Sequence, residues 1–146
     1  QQYIGSAVPI KIIFGQTYRL LQQAKAALVT SGTATLETAL FRVPQTVCYY
    51  TPVGKLISFL RRHILKVKYI SLVNLVANKE VVRELVADTM TVANVRSELN
   101  ALLNDETYRG QMLKEYDRMI KILGPAGASH QAASKMIELL SVRKGK

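Results

Sequence analysis

The residues best suited to bind a ligand are Ser31, Gly32 and Thr33, together with Glu37, four residues after Thr33. Glycine and hydroxyl side chains at a junction between strand and helix lie beside unpaired helix N–H groups, where the helix dipole favours an oxyanion. Glu37 falls on the same helix face as Thr33, where its carboxylate can accept hydrogen bonds from sugar hydroxyls. The spacing therefore predicts a nucleotide site, with a diphosphate at the helix tip and ribose at Glu37.

The same residues have a second interpretation, in which Ser-Gly-Thr is an ordinary turn and Glu37 an exposed acid. Other sites are disfavoured, because the chain has neither a P-loop lysine nor a complete G-x-G-x-x-G motif. Two histidines and the single Cys48 lie too far apart for a metal-ligand spacing. We therefore expect neither a metal nor a cofactor.

Charge is distributed unevenly along this chain of 146 residues, which carries a net charge of +10. No acid occurs between Glu37 and Glu80, whereas seven lysines and arginines do. Such a segment implies an anionic partner: phosphate, an acidic membrane or nucleic acid. Within it, residues 53–65 are predicted to form a basic amphipathic helix, which is either an interfacial membrane element or an ordinary crossover helix.

Alternating apolar runs and helical patterns predict an α/β fold with a parallel sheet of three to four strands and flanking helices. The first strand is predicted in the 11–15 region, the next two at 26–30 and 45–50, and a strand or extended loop at 68–77. After residue 80 the pattern is helical throughout. The helices predicted there are a short one at 79–88, one marked by Val92 to Leu102, one marked by Met112 to Leu123, and a last one capped by Ser129.

Two blocks, SGTATLETALFRVP and YISLVNLVANKEVVRELV, resemble lipid-A-disaccharide synthase. The resemblance runs from about residue 11 to the end of the chain, and the order and distance of the blocks make it specific. It implies the carboxyl-terminal, Rossmann-like half of a two-domain glycosyltransferase of the GT-B architecture. That family moves diacylglucosamine from UDP-2,3-diacylglucosamine to 2,3-diacylglucosamine 1-phosphate. It works without a metal, peripherally, on the cytoplasmic face of the inner membrane of Gram-negative bacteria.

The resemblance also implies roles for particular residues. Ser31, Gly32 and Thr33 would hold the diphosphate of the donor, and Glu37 its ribose. Phe14 and Gln16 match a position that contacts uracil, and Asn74 and Glu80 would line the donor sugar or the cleft. The membrane or acyl-chain element would comprise Lys55, Phe59, Arg61, Arg62 and Lys66.

We accordingly expect residues 1–146 to form one UDP-sugar-binding domain, from which the amino-terminal acceptor domain is absent. Such a piece binds donor but transfers no sugar, because the catalytic base belongs to the missing half. Its expected partners are the UDP-diacylglucosamine donor, the lipid acceptor, anionic inner-membrane lipids and a second copy of the chain, as a homodimer or by domain swapping, but not nucleic acid. The alternatives are another UDP-sugar transferase or epimerase of this architecture, and a non-catalytic basic module that binds membranes or nucleic acid.

Overall fold

A three-stranded parallel sheet organises the protein, whose computed structural model describes residues 10–30, 32–50, 68–125 and 127–143. The strands are β1 (Ala27–Val29), β2 (Gln45–Tyr49) and β3 (Glu84–Val86). The helices are α1 (Thr17–Leu21), α2 (Thr33–Leu40), α3 (Leu72–Ala77), α4 (Val92–Asn104), α5 (Glu106–Leu123) and α6 (Ala128–Arg143), with a 3-10 turn at Ala87–Thr89.

The central strand is β2, which pairs with β1 and β3 in parallel. Gln45 lies opposite Ala27, and Val47 lies opposite both Val29 and Glu84. A parallel sheet with both faces covered favours continuous apolar strands, and Val47 is fully buried. The predicted α/β class, with a parallel sheet and flanking helices, is confirmed.

The core lies between the sheet and helices α2, α3, α4 and α5. Its largest side chains come from the two long helices, with Leu102 on α4 and Met119 and Tyr116 on α5 all fully buried. The Tyr116 hydroxyl accepts a hydrogen bond from Gln45 Nε2 at 3.3 Å, and burial raises its pKa above the ordinary value. The apolar spacing that predicted α4 and α5 thus identified the buried residues Leu102, Met112 and Tyr116, but the markers at the two outer ends, Val92 and Leu123, are exposed.

The predicted strand in the 11–15 region is wrong. Residues 10–14 form no strand, and their apolar side chains lie at the surface, with Ile12 66% and Phe14 84% exposed. A β-branched run becomes a strand only when a neighbour completes its hydrogen-bond ladder, and no described residue pairs with this segment. The strand β1 is therefore one of the two edges of the described sheet, and β3 is the other.

Two further predictions in the middle of the chain are wrong, in opposite directions. The apolar run at 68–77 was predicted as strand or loop but contains α3, because the Ser71 hydroxyl accepts the Asn74 N–H at 3.3 Å and caps the helix. The segment at 79–88 was predicted as a helix but contains β3. Pairing with β2 outweighs its local helix propensity, so the helical region begins at α4 rather than at residue 80.

The last helix, α6, begins at Ala128, so Ser129 lies inside it rather than at its cap as predicted. The predicted apolar stripe of this helix is exposed, with Met136 65%, Ile137 68% and Leu140 63% accessible. The predicted basic helix at 53–65 lies outside the described residues.

Acid sensitivity is expected from Glu115 on α5, which pairs with Lys79 at 2.5 Å and with Arg118. The hydrogen bond from Lys79 is the main reason that the pKa of Glu115 is lowered, and it outweighs the opposing effect of desolvation; the Arg118 charge lowers the pKa further. Because the folded pKa is depressed, the pair stabilises the fold above the ordinary carboxylate pKa, and this contribution disappears as the pH falls through the folded value. We expect Glu115→Gln to lower the melting temperature at pH 7, and we expect the difference from the wild type to shrink as the pH falls toward 3.

Lys79→Met removes the Lys79 contact but leaves Arg118 beside Glu115, so it should give a pH dependence of the same direction but smaller size. Thermal unfolding followed by circular dichroism between pH 3 and 7 measures both variants. A Glu115→Gln profile parallel to that of the wild type would contradict this assignment.

Candidate functional site

The tip of α2 is open to solvent. Its N-cap is Gly32, which has φ 139° and ψ −162°, a backbone conformation that is essentially restricted to glycine. Gly32, Thr33 and Ala34 are all exposed. Gly32 has no side chain to cap the helix, and its carbonyl accepts the Thr35 N–H at 3.2 Å. The N–H groups of the exposed residues before Thr35 can therefore face an external oxyanion.

The other threonines of α2 point inward. Thr35 Oγ1 donates to the Gly32 carbonyl at 2.8 Å, and Thr38 Oγ1 donates to the Ala34 carbonyl at 2.7 Å. Both side chains are buried, whereas Thr33 is exposed. Of the three residues predicted for the diphosphate, the structure thus places Gly32 and Thr33 at the open tip, and Ser31 lies outside the described residues.

A pocket of about 440 Å³ lies between the turn at residues 15–19 and Glu37. Gly15 (φ 67°) turns the chain into α1, and the Tyr18 ring stacks on Phe41 with centroids 5.3 Å apart. This stack holds the turn against α2, so that Gln16 and Glu37 line the same cavity. The volume falls within the range of small-molecule pockets.

Glu37 is half-buried in this pocket. Within the described part of the chain, its carboxylate makes no hydrogen bond or ion pair. Glu37 follows Gly32 by five residues, which corresponds to about 7.5 Å along the helix axis. The predicted uracil and ribose contacts, Gln16 and Glu37, are brought together, but Phe14 is not among the pocket residues.

Asn74, in the second sequence block, is fully buried and uses both ends of its amide internally. Its Oδ1 accepts the N–H groups of Val81 (2.7 Å) and Val82 (2.9 Å). Its Nδ2 donates to the Val82 carbonyl at 2.8 Å and to the Glu84 carboxylate at 2.9 Å. The side chain therefore ties the loop before β3 to α3 and has no polar atom to spare for a ligand.

Glu84 is the residue that sequence reasoning missed. Its carboxylate accepts the backbone N–H groups of Ile70 and Ser71, the Ser71 hydroxyl and the Asn74 amide, at distances of 2.9 to 3.1 Å. It thus places negative charge at the positive end of α3. Ser71 and Asn74, spaced three residues apart, are a capping signal visible in the sequence, but nothing local indicates that the acid comes from β3.

Glu80 lies at the surface beside Arg83, 3.6 Å away. It shares with Asn74 a second pocket of about 240 Å³, which also contacts Lys68 and Thr89. This pocket has no residue in common with the one at Gln16 and Glu37. Of the predicted donor contacts, Gln16 and Glu37 therefore line one pocket, and Asn74 and Glu80 line another.

The described residues contain neither a cluster of metal-ligand side chains nor a membrane-spanning helix. No three histidine, cysteine, aspartate or glutamate side chains gather there as metal ligands would. No described helix is both long and apolar enough to cross a bilayer. The residues predicted to contact membrane or acyl chains (Lys55, Phe59, Arg61, Arg62 and Lys66) lie outside the described residues.

The family model described as "Lipid-A-disaccharide synthetase" matches residues 3–137. A lipid-A-disaccharide synthase of Psychromonas ingrahamii is 38% identical over 144 residues, which is 99% of this chain and 36% of that protein. The lipid-A-disaccharide synthase of Syntrophus aciditrophicus is 36% identical over 90% of this chain and 34% of that protein. The one of Pseudomonas putida strain F1 is 32% identical over 98% of this chain and 36% of that protein.

This chain therefore spans about a third of the length of these relatives. The match of the family model extends over most of the chain. It includes the α2 tip, the pocket at Glu37 and the hydrogen bonds of the buried Asn74. The chain belongs to the lipid-A-disaccharide synthetase family.

Proposed function

We propose that this chain is the donor-nucleotide half of a glycosyltransferase of lipid A biosynthesis. The reaction moves diacylglucosamine from UDP-2,3-diacylglucosamine to 2,3-diacylglucosamine 1-phosphate and releases UDP and lipid A disaccharide 1-phosphate. The observation that carries the proposal is the Glu37 carboxylate, which has no hydrogen-bond or ion-pair partner among the described residues and lies about one helix turn behind the N-terminus of α2. Family membership supports a glycosyltransferase reaction of lipid A biosynthesis, and this geometry supports the proposed position of the nucleotide.

In this proposal the diphosphate contacts the N–H groups at Gly32 and Thr33, together with Ser31. Ribose hydroxyls donate to Glu37, and the uracil lies against the turn at Phe14 and Gln16. These interactions act on the leaving group: dipole and N–H donors stabilise the charge that UDP develops as the glycosidic bond breaks. The Tyr18–Phe41 stack supports this arrangement, because it holds the turn with Gln16 against the helix that carries Glu37.

Asn74 contributes by position rather than by contact, because its polar atoms are occupied. It holds the loop that carries Glu80, whose exposed carboxylate we assign to the donor sugar or the cleft. The acceptor site and the general base that deprotonates the acceptor hydroxyl are assigned to the part of the relatives that this chain does not span. The chain alone is then inactive, and disaccharide formation by the purified chain would contradict this assignment.

The proposal also includes the environment of the protein. The basic segment with Lys55, Phe59, Arg61, Arg62 and Lys66 binds anionic lipid at the cytoplasmic face of the inner membrane. Failure of the chain to sediment with anionic vesicles would contradict this.

The exposed apolar stripe of α6 supports self-association, as a homodimer or by domain swapping. Light scattering that finds only monomer would contradict that part.

The test is the binding of UDP and of inorganic pyrophosphate to the chain and to Glu37→Ala, measured by calorimetry. We expect the variant to weaken UDP binding at least tenfold, because hydrogen bonds to a charged group contribute about 1.5–3 kcal/mol. Pyrophosphate should bind the variant no more weakly than the wild type, since a repelling negative charge has been removed.

The matched control is Glu138→Ala, which removes an exposed helix glutamate from α6 and should leave both affinities unchanged. Equal losses for UDP and pyrophosphate in Glu37→Ala would contradict the ribose role. Absence of UDP binding, combined with tight salt-dependent binding of DNA, would favour the basic-module alternative.

A further inference from the structure

Arg19 is the one arginine or lysine among the described residues that line the pocket of Gln16 and Glu37. It is exposed and forms no ion pair within the described part of the chain. Its polar contact there is a hydrogen bond from Nη1 to Gln16 Oε1 at 3.3 Å. The Arg19 guanidinium therefore forms no ion pair with Glu37, although both side chains border the same cavity.

This hydrogen bond determines which end of the Gln16 amide remains free. A guanidinium has donors only, so the Gln16 atom that faces Arg19 must be the carbonyl oxygen. The Gln16 Nε2 group makes no hydrogen bond within the described residues. A glutamine held in this way presents a donor to the pocket, whereas an unheld amide can rotate by half a turn and present either group.

A fixed donor discriminates between the two pyrimidines that differ at one exocyclic position. Uracil, like thymine, carries the carbonyl acceptor O4, whereas cytosine carries an amino donor at N4. A donor facing O4 gains a hydrogen bond, and a donor facing N4 leaves two donors without an acceptor.

We propose that Arg19 is a positioning residue that orients the Gln16 amide, and that the pair sets the preference of the site for a uracil nucleotide over a cytosine nucleotide. This inference rests on the proposed function, because it requires the base of the nucleotide to lie at Gln16. The surrounding geometry supports it. The Tyr18–Phe41 stack holds the turn that carries Gln16 and Arg19 against α2.

The test is the ratio of the UDP and CDP affinities of the 146-residue chain, measured by calorimetry at one salt concentration. We expect the wild type to prefer UDP about tenfold, the discrimination that about 1.4 kcal/mol provides. Arg19→Ala should reduce the preference to about twofold or less, mainly by weakening UDP binding. Arg19→Lys, which retains a donor, should restore most of it.

Gln16→Leu should also abolish the preference, and adding Arg19→Ala to it should change nothing further. Arg96→Ala is the control for loss of positive charge, because Arg96 is an exposed arginine on α4, and it should leave the ratio unchanged. Circular dichroism checks that each variant is folded.

The outcomes separate this inference from the proposed function. If the wild type binds no UDP, the proposed function fails. If UDP binds but Arg19→Ala keeps the wild-type ratio, or weakens UDP and CDP equally, Arg19 does not orient Gln16 and the inference is wrong.

Discussion

Asn74→Ala is expected to lower the free energy of unfolding by about 4 kcal/mol, because the variant leaves several buried polar groups without partners. The N–H groups of Val81 and Val82 lose their acceptor, and the Val82 carbonyl loses a donor. Each buried, unsatisfied group costs about 1–3 kcal/mol. The Glu84 carboxylate also loses one of its donors. Urea denaturation followed by circular dichroism measures the change.

Two variants make this result specific. Asn94→Ala removes an exposed amide that donates to the Thr89 carbonyl at 2.9 Å and should cost less than about 1 kcal/mol. Asn74→Asp retains the acceptor for Val81 and Val82, but it removes the amide donor to Glu84 and places a second carboxylate beside it, so it should also destabilise the fold at pH 7. If Asn74→Ala lowers the free energy of unfolding no more than Asn94→Ala does, the buried hydrogen bonds of Asn74 contribute little to stability.

Gly32→Ala is expected to destabilise the fold by about 1–3 kcal/mol and to weaken UDP binding at least tenfold. The positive φ of 139° at Gly32 is strained for any residue with a Cβ, at a cost of about 1–3 kcal/mol. Space is not the obstacle, because nothing lies within 4 Å of a Cβ built there. Relaxing the backbone moves the first N–H groups of α2 away from the position of the diphosphate, which is the reason for the loss of affinity.

Gly110→Ala is the matched control. Gly110 lies inside α5, and a Cβ built on it also meets nothing within 4 Å. Alanine should therefore stabilise the helix by about 0.5–1 kcal/mol and leave UDP binding unchanged. Chemical denaturation and UDP titration of both variants measure the contrast. Equal stabilisation by the two substitutions would show that Gly32 does not need its positive φ.

Together these variants test two separate contributions of α2 and α3. The α2 tip and Glu37 are proposed to contact the nucleotide, so their variants should change UDP affinity. The cluster of Ser71, Asn74 and Glu84 holds the loop before β3, so its variants should first change stability. Arg19 differs from both, because its variant should change the choice of base.

Local signals were sufficient for α2, β2, α4 and α5. In β2 a short apolar run is bounded by Pro44, and in α4 and α5 apolar residues recur at the helical period. The residues at the site were visible for the same reason: Gly32, Thr33 and Glu37 lie within six positions, so their spacing already determines that they share one helix end. The predicted place of Gln16 beside Glu37 came from the family resemblance.

The remaining features depended on contacts between distant segments. Residues 84–86 form a strand because β2 lies beside them. Residues 72–77 form a helix because Ser71 caps it, and Glu84, 13 residues after Ser71, accepts the N–H groups of Ile70 and Ser71 immediately before it. Residues 10–14 have strand propensity but no described partner. The sequence by itself thus determined the elements with a clear period and the residues of the α2 tip. Only the tertiary structure decided between strand and helix in short apolar runs, because hydrogen-bond partners far away in sequence contribute more free energy than local propensity does.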